Sequence, residues 1–393
     1  VITPSVRIGI DEVSPTISPR VRALFWISSA LLVWTQAAYA PALALLRRLK
    51  GSPPVTPAGD VGHPHVSLVV AAYNEEAVIA AKVANALALD WPRDRLEVIV
   101  AVDGAGDATA ARAREAGADQ VLELPRGGKI RAQDAAVRAA RGTLIAFGDA
   151  NALWEPDALQ QLVAPFAEPN VGYVCGRVEF TNEAGTNQEG VYWRYEMWLR
   201  AQESALASVT GGNGAIYAVR REAYVEVDPI MGHDLSFPFR MVKNGWRAVY
   251  QPAARASEKM VPSIEGEWAR KRRMMSHGWP IVVKGGLSDL RGYPPLYALM
   301  IVSHRLLRYG TPVLHVITAL ATLALFGRAR IYRLAALAQA ALLVAALAGG
   351  RSSARPLLVA RYYVLTTASL AAGLYDWLRH GTPAGWDAPE GTR

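Results

Sequence analysis

Apolar positions in this chain fall into two kinds of segment, and the contrast between them sets the organisation. Val66 to Ala72, Leu96 to Val102, Gln120 to Glu123 and Leu144 to Phe147 are short, strand-like runs. They alternate with the helically patterned stretches Ala77 to Ala88, Ala108 to Ala116 and Lys129 to Arg141. A βαβα alternation of this kind predicts an α/β domain with a mainly parallel sheet. Beyond Trp154 the pattern predicts strands at Tyr173 to Phe180 and Ala215 to Arg220, an aromatic-rich helix at Gly190 to Ser208, and helices at Asp234 to Asn244 and Glu267 to His277.

The second kind of segment is long and dominated by Ala, Leu, Val and Ile: Ala23 to Leu46 and much of 296 to 378. About 20 such residues cross the hydrocarbon core as a helix. Ala23 to Leu46 reads as an uncleaved anchor, because it is longer than a signal core and no Ala-x-Ala cleavage pattern follows it cleanly. Arg47, Arg48 and Lys50 then place the following domain on the cytoplasmic side. Leu296 to Phe326 fits either one kinked span or an interfacial helix to Tyr309 with a span from Thr311, and Arg305 and Arg308 favour the second. Ile331 to Ala348 and Leu357 to Leu378 are further spans. Three spans after a cytoplasmic domain would put Arg328, Arg330 and Arg333 outside, against the positive-inside rule. The expected division is an arm at 1–22, a transmembrane helix at 23–46, a cytoplasmic domain at 51–265 after a Gly- and Pro-rich linker, interfacial helices at 266–310, transmembrane helices at 311–378 and a tail at 379–393.

Composition agrees with a membrane protein. Of 393 residues, 51% are hydrophobic, and the net charge is +8. The basic residues cluster beside the apolar segments, at Arg20, Arg22, Arg47, Arg48, Lys50 and Arg270 to Arg273, which favours an anionic lipid surface over nucleic acid. The single cysteine, Cys175, excludes an intrachain disulfide framework and a thiolate-rich metal site.

Candidate chemistry sits where the strand runs end. Val69-Val-Ala-Ala-Tyr-Asn-Glu75 closes an apolar run at the place where open α/β sheets bind ligands, with Tyr73 able to stack on a base and Glu75 able to accept a hydrogen bond. Asp103 repeats that geometry, although an Asp-Gly turn explains it equally well alone. Asp149-Ala-Asn151 offers two side-chain oxygens for a hard divalent cation, or a helix cap before Pro156. Lys129 follows two glycines that admit close approach of a phosphate. Gly211-Gly-Asn-Gly214, containing Gly212 and Asn213, reads as a loop beside a ligand or as a tight hairpin. Asp234, after His233, reads as a general base or as an N-cap.

In this order the motifs resemble those of membrane-bound, inverting family 2 glycosyltransferases of the GT-A fold, across about residues 65 to 315. Tyr192-Trp-Arg-Tyr-Glu196 and Ser303-His-Arg-Leu-Leu-Arg308 are similar to segments of such proteins. The resemblance implies a GT-A (nucleotide-diphospho-sugar transferase) domain flanked by transmembrane helices. It implies that Tyr73, Glu75 and Asp103 bind the nucleoside, Lys129 the phosphates, Asp149 and Asn151 an Mg²⁺ or Mn²⁺ ion, and that Asp234 deprotonates the acceptor. Gly212, Asn213, His233, Arg272 and Arg273 are expected to contact substrate. The expected partners are a nucleotide-sugar donor, here a UDP-sugar, a lipid-linked or polysaccharide acceptor, and membrane lipids. Three departures stand out: Asn151 replaces a second aspartate, His233-Asp234 replaces Glu-Asp, and Lys271-Arg-Arg-Met-Met275 lies where processive members carry Gln-x-x-Arg-Trp. The last favours single addition over polymer synthesis. The departures also leave open a membrane-anchored binding protein without turnover, while a transporter would leave the globular middle without a purpose.

Overall fold

The computed structural model describes residues 19–51, 62–181, 189–259, 264–352 and 354–385. Most of the expected arm and linker, the far tail and the side chain of Tyr192 lie outside the described residues. The chain begins with α1 (Pro19–Val33) and α2 (Tyr39–Lys50), joined through a π-turn into one helical run that is longer at both ends than the expected span. The domain follows as β1 (Val66–Ala72), α3 (Ile79–Leu87), β2 (Leu96–Asp103), α4 (Thr109–Glu115), β3 (Gln120–Leu124), α5 (Lys129–Ala139) and β4 (Leu144–Asp149), matching the βαβα pattern element for element. Then come β5 (Leu153–Trp154), α6 (Ala158–Val163), β6 (Val171–Thr181), α7 (Glu189–Leu206), β7 (Tyr217–Arg220), α8 (His233–Lys243) and β8 (Arg247–Lys259).

The eight strands form one sheet in the order β3-β2-β1-β4-β7-β6-β8-β5. Strands β3, β2, β1 and β4 are parallel, as the helical crossovers between them require, and β7 enters antiparallel between β4 and β6. Alternate residues supply two cores. Leu68, Val70, Val98 and Val100 pack on one face, while Val69, Ile99, Ile145 and Phe147 pack on the other. Both faces of β1 are therefore apolar and covered, which is why its sequence reads as a continuous run rather than an alternation.

Strand β8 was not foreseen, and its sequence shows why. It pairs parallel with β6 in two blocks, Arg247 to Tyr250 against Val171 to Cys175 and Arg255 to Lys259 against Arg177 to Thr181. The residues between, Gln251 to Ala254, bulge out of the ladder and leave Pro252 and Ala253 exposed. Proline lacks the ladder N–H, so it breaks the period-2 pattern at the point where a bulge accommodates it.

After β8 come α9 (Ile264–Val283), α10 (Pro295–Met300), α11 (Leu307–Leu325), α12 (Arg330–Ala348) and α13 (Arg355–His380). A π-turn over Ile301–Leu306 joins α10 to α11, so Pro295–Leu325 is one helical run rather than an interfacial helix and a separate span. The break expected at Tyr309 does not occur because Arg305 and Arg308 are not directed to a membrane surface; both bind groups of the domain. Four helical runs, Pro19–Lys50, Pro295–Leu325, Arg330–Ala348 and Arg355–His380, are long and apolar enough to cross a membrane. Helix α9 is longer than expected and packs against α13.

Candidate active site

Register brings the polar strand ends together. Ala72 lies opposite Val102, and Ala71 opposite Asp149, so β1, β2 and β4 release their carboxyl ends along one edge of the sheet. The turn after β1 is tight. Asn74 adopts a left-handed φ of 52°, and its Oδ1 accepts a hydrogen bond from the Gly106 N–H at 3.0 Å. Asparagine tolerates this conformation better than a bulkier residue would.

Asp103 is buried and satisfied by the loop before α5. It accepts bonds from the N–H groups of Gly127 at 2.6 Å and Gly128 at 2.9 Å, and from the Arg126 guanidinium at 2.8 Å. Gly128 has a φ of +96°, which a side chain rarely adopts, so the loop depends on glycine there. Arg126 in turn lies flat over the Tyr73 ring, 3.3 Å from its centroid. The aromatic face expected to stack on a base therefore has a cationic lid tethered by Asp103. Arg126 was missed in the sequence, where a single arginine before Gly-Gly-Lys carries no pattern.

Lys129 opens α5 and its ammonium bonds directly to the Asp149 carboxylate. Burial pulls the Lys129 pKa down, but Asp149 outweighs it and the net shift is upward. Beneath this pair Lys82, fully buried on α3, donates to the Ala152 carbonyl at 2.6 Å and so pins the turn that carries Asn151. Burial lowers the Lys82 pKa to about 7. Glu258 at the end of β8 faces the same group, and burial followed by the charge of Asp149 raises its pKa to about 7. Lys82 looks like an ordinary surface position of a helix, and Glu258 lies on the unforeseen strand, so neither was legible.

The Gly-rich loop sits across the cleft from these residues. A Cβ at Gly214 would lie 3.3 Å from the Lys129 ammonium and 3.4 Å from the Asp149 carboxylate. Asn213 serves the fold as well as lining the cleft: its amide donates to the Gly176 carbonyl at 2.8 Å and its Oδ1 accepts from the Ile216 N–H at 2.9 Å. The Gly212 N–H donates to the Asp234 carbonyl at 2.6 Å, which ties the loop to the first turn of α8. His233 is buried, stacked on Phe237 with ring centroids 3.9 Å apart, and its Nδ1 meets the Tyr217 hydroxyl at 2.8 Å. Burial, reinforced by the charge of Lys129, holds its pKa well below the usual histidine value. His233 is accordingly neutral and forms part of the floor beside Asp234.

Behind the loop lies a buried ionic network. The Glu203 carboxylate accepts from the Thr210 N–H at 3.1 Å, the Thr210 hydroxyl at 2.9 Å and the Tyr39 hydroxyl at 2.8 Å, and it faces His304 Nδ1 at 2.7 Å. Arg308 donates to Glu196 at 2.6 Å, Arg305 to the Thr210 hydroxyl at 2.9 Å, and Arg200 to the Gly212 carbonyl at 2.9 Å. Burial pushes the Glu203 carboxyl up, but His304, Arg305 and Tyr39 outweigh it and leave it low. The network joins α2 and the π-turn of the Pro295–Leu325 run to the loop that holds Asp234.

The strand-end groups, the Gly-rich loop, Glu196, Arg200, Arg305 and Arg308 open onto one cleft of about 490 Å³, while Tyr39, Lys82, Glu203, Thr210 and His304 are buried and do not line it. It is lined by Tyr73, Glu75, Asp103, Lys129, Asp149, Asn151, Gly212, Asn213, His233, Asp234 and Arg273, together with Arg126 and Glu258. Arg272 is the exception among the expected residues. It turns out of the cleft and forms a two-pronged pair with Asp376 of α13, both bonds 2.6 Å long, while its neighbours Arg270, Lys271 and Arg273 face inward. Helical periodicity explains the difference, since residues one apart on α9 point about 100° apart. The cleft continues past Asp234 along one face of α13, where Tyr362, Thr366 and Leu370 form its wall.

An open sheet whose parallel strand ends face a cleft lined by lysine and arginine side chains, with a carboxylate at a helix start, is the arrangement of a GT-A nucleotide-diphospho-sugar transferase domain. The chain belongs to the glycosyltransferase like family 2, whose sequence profile matches residues 63–277. It is similar to the beta-monoglucosyldiacylglycerol synthase of Synechocystis sp., with 30% identity over 65% of this chain and 57% of that protein. It is also similar to the poly-beta-1,6-N-acetyl-D-glucosamine synthase of Staphylococcus aureus, with 23% identity over 60% of each. The chain thus spans about 57% and 60% of the length of these relatives. Among solved structures, the mannosyltransferase PcManGT of Pyrobaculum calidifontis, in complex with GDP-Man and Mn²⁺, superposes with a TM-score of 0.70 at 25% identity, covering 91% of this chain and 99% of that one.

Proposed function

We propose that the chain is an inverting glycosyltransferase that moves one sugar from a nucleoside-diphosphate sugar to a lipid or lipid-linked acceptor at the cytoplasmic face of the cell membrane. One observation carries this reading: a single cleft joins the donor-type residues at the sheet edge to Asp234 and then runs on along α13, a helix apolar enough to lie in a bilayer. Similarity to a glycolipid synthase and to a mannosyltransferase supports it. UDP-sugars remain the first donors to test, and GDP-sugars the second, since the structural neighbour was solved with GDP-Man.

In this reading the base lies against the stacked Tyr73–Arg126 pair, and Lys129 and the inward arginines of α9 hold the diphosphate. Asp149 and Asn151 are hard oxygen donors but supply only one anionic ligand, and no cluster of three acidic, His or Cys side chains suited to a metal exists among the described residues. Such a pair fits an Mg²⁺ or Mn²⁺ ion shared with donor phosphates and water rather than one caged by protein. When bound, that ion supplies Lewis-acid stabilisation of the departing diphosphate. The hydrogen bond from Gly212 to the Asp234 carbonyl ties down the helix start, and Asp234 lines the cleft there. Asp234 takes the proton of the acceptor hydroxyl as the hydroxyl oxygen attacks the anomeric carbon, and the bond to the diphosphate oxygen breaks in line. Neutral His233 adds no competing charge beside it.

The test is release of nucleoside diphosphate by the detergent-solubilised protein across a panel of nucleotide sugars, with Mn²⁺ and membrane lipids added. Asp234→Asn is expected to lower turnover about 10³-fold with donor affinity retained. Transfer at the wild-type rate by this variant would remove Asp234 as the base, and a product ladder would point to a processive synthase.

A further inference from the structure

Residues 381–385, which follow α13, come back to the donor end of the cleft. Helix α13 runs antiparallel to α11. His315 bonds to the Tyr363 hydroxyl at 2.7 Å, and further toward the domain Trp279 packs on Tyr309 while donating to the Leu370 carbonyl at 2.9 Å. Still nearer the domain, Asp376 pairs with Arg272. Helix α13 therefore ends beside α9, and Gly381, with a φ of +72°, turns the chain off the helix. The Thr382 hydroxyl then donates to the Ser276 carbonyl at 2.8 Å.

From this anchor Ala384 reaches the donor end of the cleft and lines it. A Cβ placed on Gly128 would collide with the Ala384 carbonyl, and a Cβ on Gly385 would stand 3.3 Å from the Arg126 guanidinium. Gly128 and Arg126 both donate to Asp103, and Arg126 also covers Tyr73. Gly128 thus has two reasons to be glycine: its φ, and the backbone pressed against it.

We propose that residues 382–385 are part of the donor-binding site, forming an outer wall that closes over the loop 126–128 and the nucleoside of the bound nucleotide. The ligand named here rests on the transferase reading; the placement of the segment does not. The wall requires that α13 end on the same membrane face as the catalytic domain. Helix α11 then leaves the domain and α13 returns to it, so α12 starts and finishes on the far side. Its contacts agree: it starts with Tyr332 against Phe25 and Leu325, and just past its end Gly349 abuts Leu357 near the start of α13.

Cys175 is the only cysteine and is buried, so single-cysteine labelling is clean. Ala384→Cys and, as a domain reporter on exposed Glu115 of α4, Glu115→Cys are treated with a membrane-impermeant maleimide in sealed vesicles of either orientation. Both cysteines are expected to react from the same face, and saturating UDP or GDP is expected to slow Ala384→Cys about tenfold while leaving Glu115→Cys unchanged. Truncation after Gly381 is expected to weaken nucleotide binding, measured by calorimetry, about tenfold. Labelling from opposite faces, or unchanged or tighter nucleotide binding by the truncated protein, overturns the proposal. If the intact protein binds neither nucleotide while both cysteines still react from one face, the transferase reading and the ligand fall and the placement of the segment stands.

Discussion

The two ends of the cleft are built in opposite ways. At the donor end the polar groups sit at strand ends or in the loop and helix start that follow β3, and these partners lie within a few tens of residues: Asp103 with Arg126, Lys129 with Asp149. At the membrane end the groups arrive from across the whole chain, Tyr39, Glu203, Thr210 and His304 meeting at one carboxylate. The donor end inherits its geometry from strand register, which two apolar cores enforce. The membrane end has no such scaffold, and a buried ionic network takes its place. The two constructions fail differently when cut.

The largest effect is expected at Glu203. Removing one member of a buried ion cluster strands the others, at about 3–5 kcal/mol. Glu203→Ala is therefore expected to lower the thermal unfolding temperature in detergent sharply and to loosen the Gly-rich loop, with Glu203→Gln milder because its amide oxygen still accepts from Thr210. A loss below about 1 kcal/mol would mean that helix packing alone positions the loop.

Lys129→Met cuts the donor end, where stability rests on the sheet and the ammonium faces the cleft. Unfolding temperature is expected to change little, while kcat/KM for the donor falls about 100-fold, as when one stabilising group for a departing anion is removed. Steady-state kinetics with varied donor decides it. A comparable fall in both stability and activity would erase the contrast between the two ends.

What the sequence makes legible follows the same division. Tyr73, Asp103 and Asp149 stand where an apolar strand run ends and Asp234 where a helical pattern begins, so the local pattern locates them. Arg126, Lys82 and Glu258 do not, because their placement depends on a loop conformation, a buried helix face and a bulged strand interrupted by Pro252. Arg305 and Arg308 suggested a membrane surface and instead serve the network, since a sequence shows a charge but not the carboxylate that meets it. Arg272 failed for a related reason: the basic run on α9 was visible, but which of its members face the cleft depends on where α13 packs.

A smaller effect is expected from Arg126→Ala. A guanidinium stacked over an aromatic ring contributes about 1 kcal/mol, so nucleotide affinity is expected to drop about fivefold. The same substitution leaves Asp103 with only the Gly127 and Gly128 N–H groups. Isothermal titration with UDP and GDP measures the loss, and a gain in affinity would show that Arg126 competes with the base for Tyr73 rather than covering it.

The last effect concerns His233 and appears only in acid. Its folded-state pKa is held well below the value of about 6.5 in the unfolded chain, chiefly by burial. Below that pH the unfolded state takes up a proton that the folded state refuses, so stability falls as pH drops. The slope is up to about 1.4 kcal/mol per pH unit for one histidine. His233→Gln retains a polar partner for the Tyr217 hydroxyl but has nothing to titrate, so its unfolding temperature is expected to decline less than that of the wild type between pH 6.5 and 5. Identical declines would assign the acid sensitivity to other groups, such as the ionic network at the membrane end. That result would carry the contrast between the two ends into their response to pH.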